Sequence, residues 1–159
     1  MPDKKDQILS SLSALVFTFW AGGQWAVGYL AAPTLFANLD RVSAGAVAGQ
    51  LFHIIAWVGL VVGLVLALLN RIQGGWGWRG AALLAVAVLA ALSLFVLQPM
   101  MAELKAAGLE NADTAARFGR LHGISSALYL LQSLLAVALA WAGPLRAVQN
   151  SSGVLSEGR

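Results

Sequence analysis

The 159-residue chain is 59% hydrophobic and only 11% charged, with a mean hydropathy of +0.76. A soluble domain carries about 25% charged residues, so this composition excludes an ordinary soluble globular protein. Cysteine is absent, which removes disulfides and thiolate chemistry, and the ten Lys and Arg residues (net charge +3) are scattered over short loops as topology signals, not gathered into a nucleic-acid surface.

The elements follow in chain order. Residues 1–7 form a polar N-terminal segment. Four apolar runs come next, at about 8–32, 44–70, 80–101 and 118–143, and together they make one transmembrane domain, residues 8–143. Each run reaches the roughly 20 residues that a helix needs to cross about 30 Å of hydrocarbon. The first contains Gln24 and ends in YLAAP without a clear small-residue cleavage pattern, so it reads as a span and not as a secretory signal. TLFANLDRVS (34–43) is half apolar and suits a short interfacial helix. RIQGGWGWRG (71–80) reads as a tight turn, with Trp76 and Trp78 at headgroup level. AELKAAGLENADTAAR (102–117) is expected to be the one substantial loop, amphipathic and partly helical. Residues 144–159 read as a flexible Ser/Gly-rich tail.

The expected fold is all-α, an integral membrane antiparallel four-helix bundle. Four crossings put both termini on one side. That side holds Lys4, Lys5, Arg71, Arg79, Arg146 and Arg159, against Arg41, Lys105, Arg117 and Arg120 on the other. The bias places both termini in the cytoplasm, in a membrane of the bacterial inner (plasma) type.

Helices in lipid associate through close backbone approach and polar contacts, because lipid tails solvate Leu as well as Leu does. The second run offers Gly45, Gly49, Ala56, Gly59 and Gly63 within about 80° of arc, an expected packing seam. Gly22, Gly23 and Gly28 offer small surfaces on the first run.

Polar residues inside the runs are the candidate functional groups. On the fourth, His122, Ser126, Tyr129 and Ser133 recur at i, i+4, i+7 and i+11 and make one stripe, with Ser125 beside it. His53, Gln24, Tyr29, Gln98 and Pro99 fall in the same half of the membrane, so Gln24, His53, Gln98, His122, Ser126 and Tyr129 are expected to face a common interior volume. Interhelical hydrogen bonding and a ligand cavity are both open for this cluster.

GYLAAPTLF, AGAVAGQLF, LQPMMAEL and RFGRLHGISSALYLLQSLL, taken together over residues 20–135, resemble the transmembrane protein 205-like family. Pro33–Phe36, Ala44–Phe52 and Leu121–His122 carry most of the likeness. It implies a four-span integral membrane protein from a family of unknown function, with no catalytic residues to transfer. His122 matches the family pattern, whereas His53 falls where no fixed histidine is expected.

The leading functional expectation is a non-enzymatic membrane protein, either an accessory subunit of a membrane complex or a homo-oligomer embedded in the bilayer. One alternative is a b-type haem or metal-binding protein using His53 and His122. Another is a small-molecule transporter or permease, which the lack of internal Asp, Glu, Lys or mid-span Arg weighs against. A Ser–His hydrolase is the least supported, since acidic residues occur only in loops and no orienting third group is evident.

Overall fold

A computed structural model of the chain describes residues 4–74 and 77–142. Four helical rods fill them, and no strand occurs among the described residues. The first rod is α1 (Lys4–Trp25), a π-helical turn (Ala26–Ala31) and α2 (Ala32–Asn38). The second is α3 (Arg41–Gly74). The third is α4 (Trp78–Leu92), a π-helical turn (Ser93–Leu97) and α5 (Gln98–Ala106), and the fourth is α6 (Ala112–Ala142).

Each π turn ends two residues before a proline, Pro33 or Pro99. Proline has no N–H and its ring clashes with the carbonyl one turn back, so the helix widens there and continues. The wide turns are visible as Ala32 N–H donating to the Val27 carbonyl and Gln98 N–H donating to the Ser93 carbonyl.

The connections are shorter than the sequence suggests. Helix runs through most of 34–43, leaving only Leu39 and Asp40 between α2 and α3, and the 102–117 segment shrinks to Ala107–Asn111. Local capping explains both. Asp40 Oδ1 accepts from the Val42 and Ser43 N–H groups at 2.9 and 3.0 Å, and Asn111 Oδ1 accepts from Asp113 N–H at 2.8 Å. Gly108, at φ 89°, supplies the left-handed residue that stops α5. The Trp76 and tail assignments, and Arg146 and Arg159 of the charge count, lie outside the described residues.

The Ser43 hydroxyl, then its N–H, holds the Asp40 carboxyl below its ordinary 3.8. A lowered folded value means that the cap contributes fully above the unfolded pKa and is lost as pH falls through the folded one. Protection of the Val42 and Ser43 amides from exchange should therefore drop on going from about pH 5 to about pH 2. Asp40→Ala should abolish that pH dependence, and protection that is flat with pH in the parent chain would refute the cap.

Around the ring, α1 lies beside α3 and α6, and α4 completes the square between them. The sides register antiparallel: Gly59 of α3 meets Trp20 of α1, while Gly63 meets Leu83 and Ala87 of α4. Phe17, Trp20, Leu66, Leu83, Val86 and Leu139, all 3% exposed or less, fill one half of the bundle. At that end the Arg79 guanidinium donates to the Ala142 carbonyl and ties α4 to α6.

The glycine seam is half realised. Gly59 and Gly63 sit at close approaches, but Gly45 and Gly49 have nothing from another described element within 4 Å of where a side chain would start. Ala44 (0% exposed) and Ala48 (4%) take the buried positions instead. The kink at Pro33 brings α2 onto α3, and this moves the contact face from the glycines to the neighbouring alanines.

Three helices are long and apolar enough to cross a membrane: Arg41–Gln73, Trp78–Ala106 and Ala112–Ala142. The first rod is not among them. Its polar Ser13 and Gln24 are buried in the bundle, while Leu15 (64% exposed), Phe19 (84%) and Leu30 (69%) face outward.

Candidate functional site

The polar groups of the helices form levels along the bundle axis, the uppermost on its exposed outer face, where His53 and Trp57 lie, and the lower ones inside. Highest, towards α2 and α5, is His53. Trp57 stands one turn further along α3, and its indole N–H donates to His53 Nε2 at 3.1 Å. An indole can only donate, so Nε2 accepts and the proton sits on Nδ1, which donates to Gln98 Oε1 at 2.7 Å. Gln98 Nε2 donates to Ser93 Oγ at 3.2 Å. These bonds join α3 to both ends of the second π turn, and Trp57 packs edge-on against Phe95 inside it, centroids 5.6 Å apart. An imidazole in so apolar a helix is thus a clamp on the proline-kinked rod beside it.

The next level belongs to Tyr129. Its hydroxyl donates to the Gln24 carbonyl just before the first π turn. Its ring occupies the space where a Cβ on Gly28 would be, so this approach of α6 to the first rod requires glycine. Phe52 meets the ring edge-on at 5.1 Å and Tyr29 at 6.3 Å.

Deepest is a layer that is polar but uncharged. The Gln24 side chain, 1% exposed, donates to Ser133 Oγ at 3.3 Å. Gln132 donates to the Val86 carbonyl at 3.1 Å. Trp20 abuts Gly59, and its indole N–H has no hydrogen-bond partner among the described residues. Polar atoms so far from water are costly unless bonded, and apart from Trp20 Nε1 the donors in this layer are bonded to a neighbouring helix.

The expected common cluster divides. Gln24, Tyr129 and Ser133 meet between α1 and α6, and His53 and Gln98 meet between α3 and the second π turn. His122 and Ser126 are exposed. His122 stacks on Phe118 of its own helix, centroids 6.1 Å apart, and Ser126 Oγ returns a bond to the His122 carbonyl at 2.9 Å. Ser125 is half-buried and Tyr29 is 50% exposed. The α6 stripe faces inward only from Tyr129 onward, because beyond that point α2 has moved onto α3 and α6 packs against α5.

The two histidines therefore have separate partners. Both His53 nitrogens are engaged in the protein, so the pair does not fit a bis-histidine ligand set for haem. No group of three or more His, Cys, Asp or Glu that could hold a metal occurs among the described residues.

Sequence reasoning missed Gln132 and Trp20. Gln132 lies three residues past Tyr129, on the same helix face, so its spacing was an available signal. Trp20 gave none, because an aromatic ring in an apolar run reads as lipid-facing or core alike.

No curated protein and no solved structure matches the chain. A family model described as a domain of unknown function, DUF4149, matches residues 15–110. The match takes in the His53–Gln98 clamp and both proline-kinked turns and stops before α6. Spanning well over half of the sequence, it makes the chain a member of the DUF4149 family.

Proposed function

We propose that the chain is a non-enzymatic integral membrane protein whose four rods all cross the bilayer and which pairs with a second copy of itself. The observation that carries this reading is a set of small surfaces left open by the fold. Gly45 and Gly49 on α3, and Gly119 and Gly123 on α6, form two GxxxG steps with nothing within 4 Å of a built Cβ among the described residues. Such steps allow backbones to approach in lipid, where Leu-rich surfaces give no drive to associate. The interior supports a structural role, since its hydrogen bonds run between helices and hold kinked turns in place. The resemblance to the transmembrane protein 205-like family, with its four spans, agrees with the outward apolar face of the first rod. The basic residues favour both termini in the cytoplasm.

The parent chain in nanodiscs should photobleach in two steps. Gly49→Leu or Gly123→Leu should shift it to one step while leaving the thermal midpoint within about 2 °C, because neither glycine packs inside the bundle. A parent chain that bleaches in one step would rule out self-association. For topology, reporters at the two termini should label from the same face of the membrane and a reporter at Gly108 from the opposite face. Termini labelling from opposite faces would mean that the first rod does not cross.

A further inference from the structure

Where α5 ends and α6 begins, an open cleft of about 240 Å³ is lined by Met100, Glu103, Leu104, Arg117, Arg120 and Leu121. We propose that this cleft binds the zwitterionic headgroup of a phosphoethanolamine lipid, its phosphate on Arg117 and Arg120 and its ammonium on Glu103.

Three observations lead there. The cleft has two kinds of wall: Met100, Leu104 and Leu121 are apolar, while Glu103, Arg117 and Arg120 are charged. Such a wall suits an amphiphile at the edge of the hydrocarbon. Second, although both signs of charge line the same cleft, neither guanidinium group nor the Glu103 carboxylate has an ion-pair or hydrogen-bond partner among the described residues. Two guanidinium groups and one carboxylate held apart match a ligand that carries both charges. A purely anionic headgroup would leave the carboxylate facing it, and a choline headgroup has no N–H to donate. Third, the neighbouring Lys105 ammonium lies over the Phe118 ring at 5.6 Å. Its position on the α5–α6 seam keeps the surroundings positive, which favours phosphate.

The size agrees as well. About 240 Å³ is some eight water volumes, room for a headgroup and its first methylenes, with the acyl chains left to run down the apolar surface of α6. Guanidinium–phosphate bonds are charge-assisted and bidentate, so the arginines supply most of the affinity and Glu103 the selectivity.

Native mass spectrometry of the full chain in detergent tests this, with phosphatidylethanolamine, phosphatidylglycerol and phosphatidylcholine of identical acyl chains, and with soluble phosphoethanolamine, as probes. Phosphatidylethanolamine should be retained at least about tenfold better than the other two lipids, the scale of one charge-assisted hydrogen bond. The double variant Arg117→Ala, Arg120→Ala should lose at least about tenfold in its retention. Glu103→Gln should bring phosphatidylethanolamine down to the level of phosphatidylglycerol. All three side chains are exposed, so folding should survive. If the alanine pair does not fold, Arg117→Lys with Arg120→Lys replaces it, and a smaller loss is expected because the bidentate geometry goes and the charge stays. Equal retention of the three lipids by the parent chain, or retention unmoved by the variants, overturns the proposal. Displacement of the lipid by an equal concentration of soluble phosphoethanolamine also overturns it, by assigning the cleft to a free solute.

Discussion

Gly63→Leu is expected to destabilise the bundle more than any other leucine placed in the glycine series of α3. A Cβ at position 63 would lie 2.9 Å from both the Leu83 carbonyl oxygen and the Ala87 nitrogen. These are backbone atoms of a regular helix and cannot rotate aside. The only relief is for α3 and α4 to move apart along their most extensive contact, which exposes the packing around Leu66, Leu83 and Val86. Overpacking that side chains can absorb costs about 1–3 kcal/mol, so a clash with rigid backbone should exceed about 3 kcal/mol. Gly45→Leu and Gly49→Leu meet open space and should stay within about 0.5 kcal/mol. Reversible unfolding in mixed micelles separates the cases, and equal losses at positions 49 and 63 would sink the assignment of the close approach to Gly63.

That contrast also shows what could be read in the sequence. Period, length and composition were enough for four helical rods, since each apolar run declares itself. The phase of Gly59 and Gly63 was legible as well, because that half of α3 is uninterrupted α-helix and packs on the uninterrupted α-helices α1 and α4. Gly45 and Gly49 continue the same stripe by phase, yet they lie past the level where the first rod bends. A kink displaces a whole neighbouring helix by an amount that residue spacing on α3 does not record. The prolines were visible, but the π turns that turn them into bends were not. His122 went astray for the same reason: its stripe on α6 is real, and the helix that would have covered it has moved onto α3. His53 shows the opposite case: Gln98 was legible as a neighbour at the same depth and Trp57 stands one turn on along its own helix, and the fold joins all three.

The two turns are held alike, one from inside the bundle and one on its exposed face. Each π turn is gripped by a polar aromatic side chain from a straight helix, Tyr129 from α6 at the first turn and His53 from α3 at the second. At the first turn the group held is the Gln24 backbone carbonyl just before it, and at the second it is the Gln98 side chain just after it, each bonded from another helix. At the level of the two turns Ala44, Ala48 and Leu97 are buried, while the glycine steps of α3 and α6 on the outer surface have nothing within 4 Å among the described residues; the other end is packed on Phe17, Leu66 and Leu139.

Trp20 and Gly59 give the second large effect, and here the pair matters more than either residue. Trp20 is 1% exposed, and its indole nitrogen would lie 2.8 Å from a Cβ on Gly59. Removing the indole by Trp20→Ala should cost about 3–5 kcal/mol, the range for deleting a large aromatic from a packed core. Gly59→Leu should cost about 1–3 kcal/mol, because the obstructing atoms belong to a side chain and not to backbone. In the double variant the leucine enters the volume left by the indole. Its total loss should then fall short of the sum of the single losses by about 1–3 kcal/mol, the size of coupling seen between residues in direct contact. Trp20→Phe separates shape from polarity: it removes an N–H that has no partner among the described residues and keeps a ring, so it should cost well under the alanine substitution. Losses that simply add in the double variant would mean that Trp20 and Gly59 do not share the space between α1, α3 and α6. The polar layer of Gln24, Gln132 and Ser133 beside them would then need another explanation for its register.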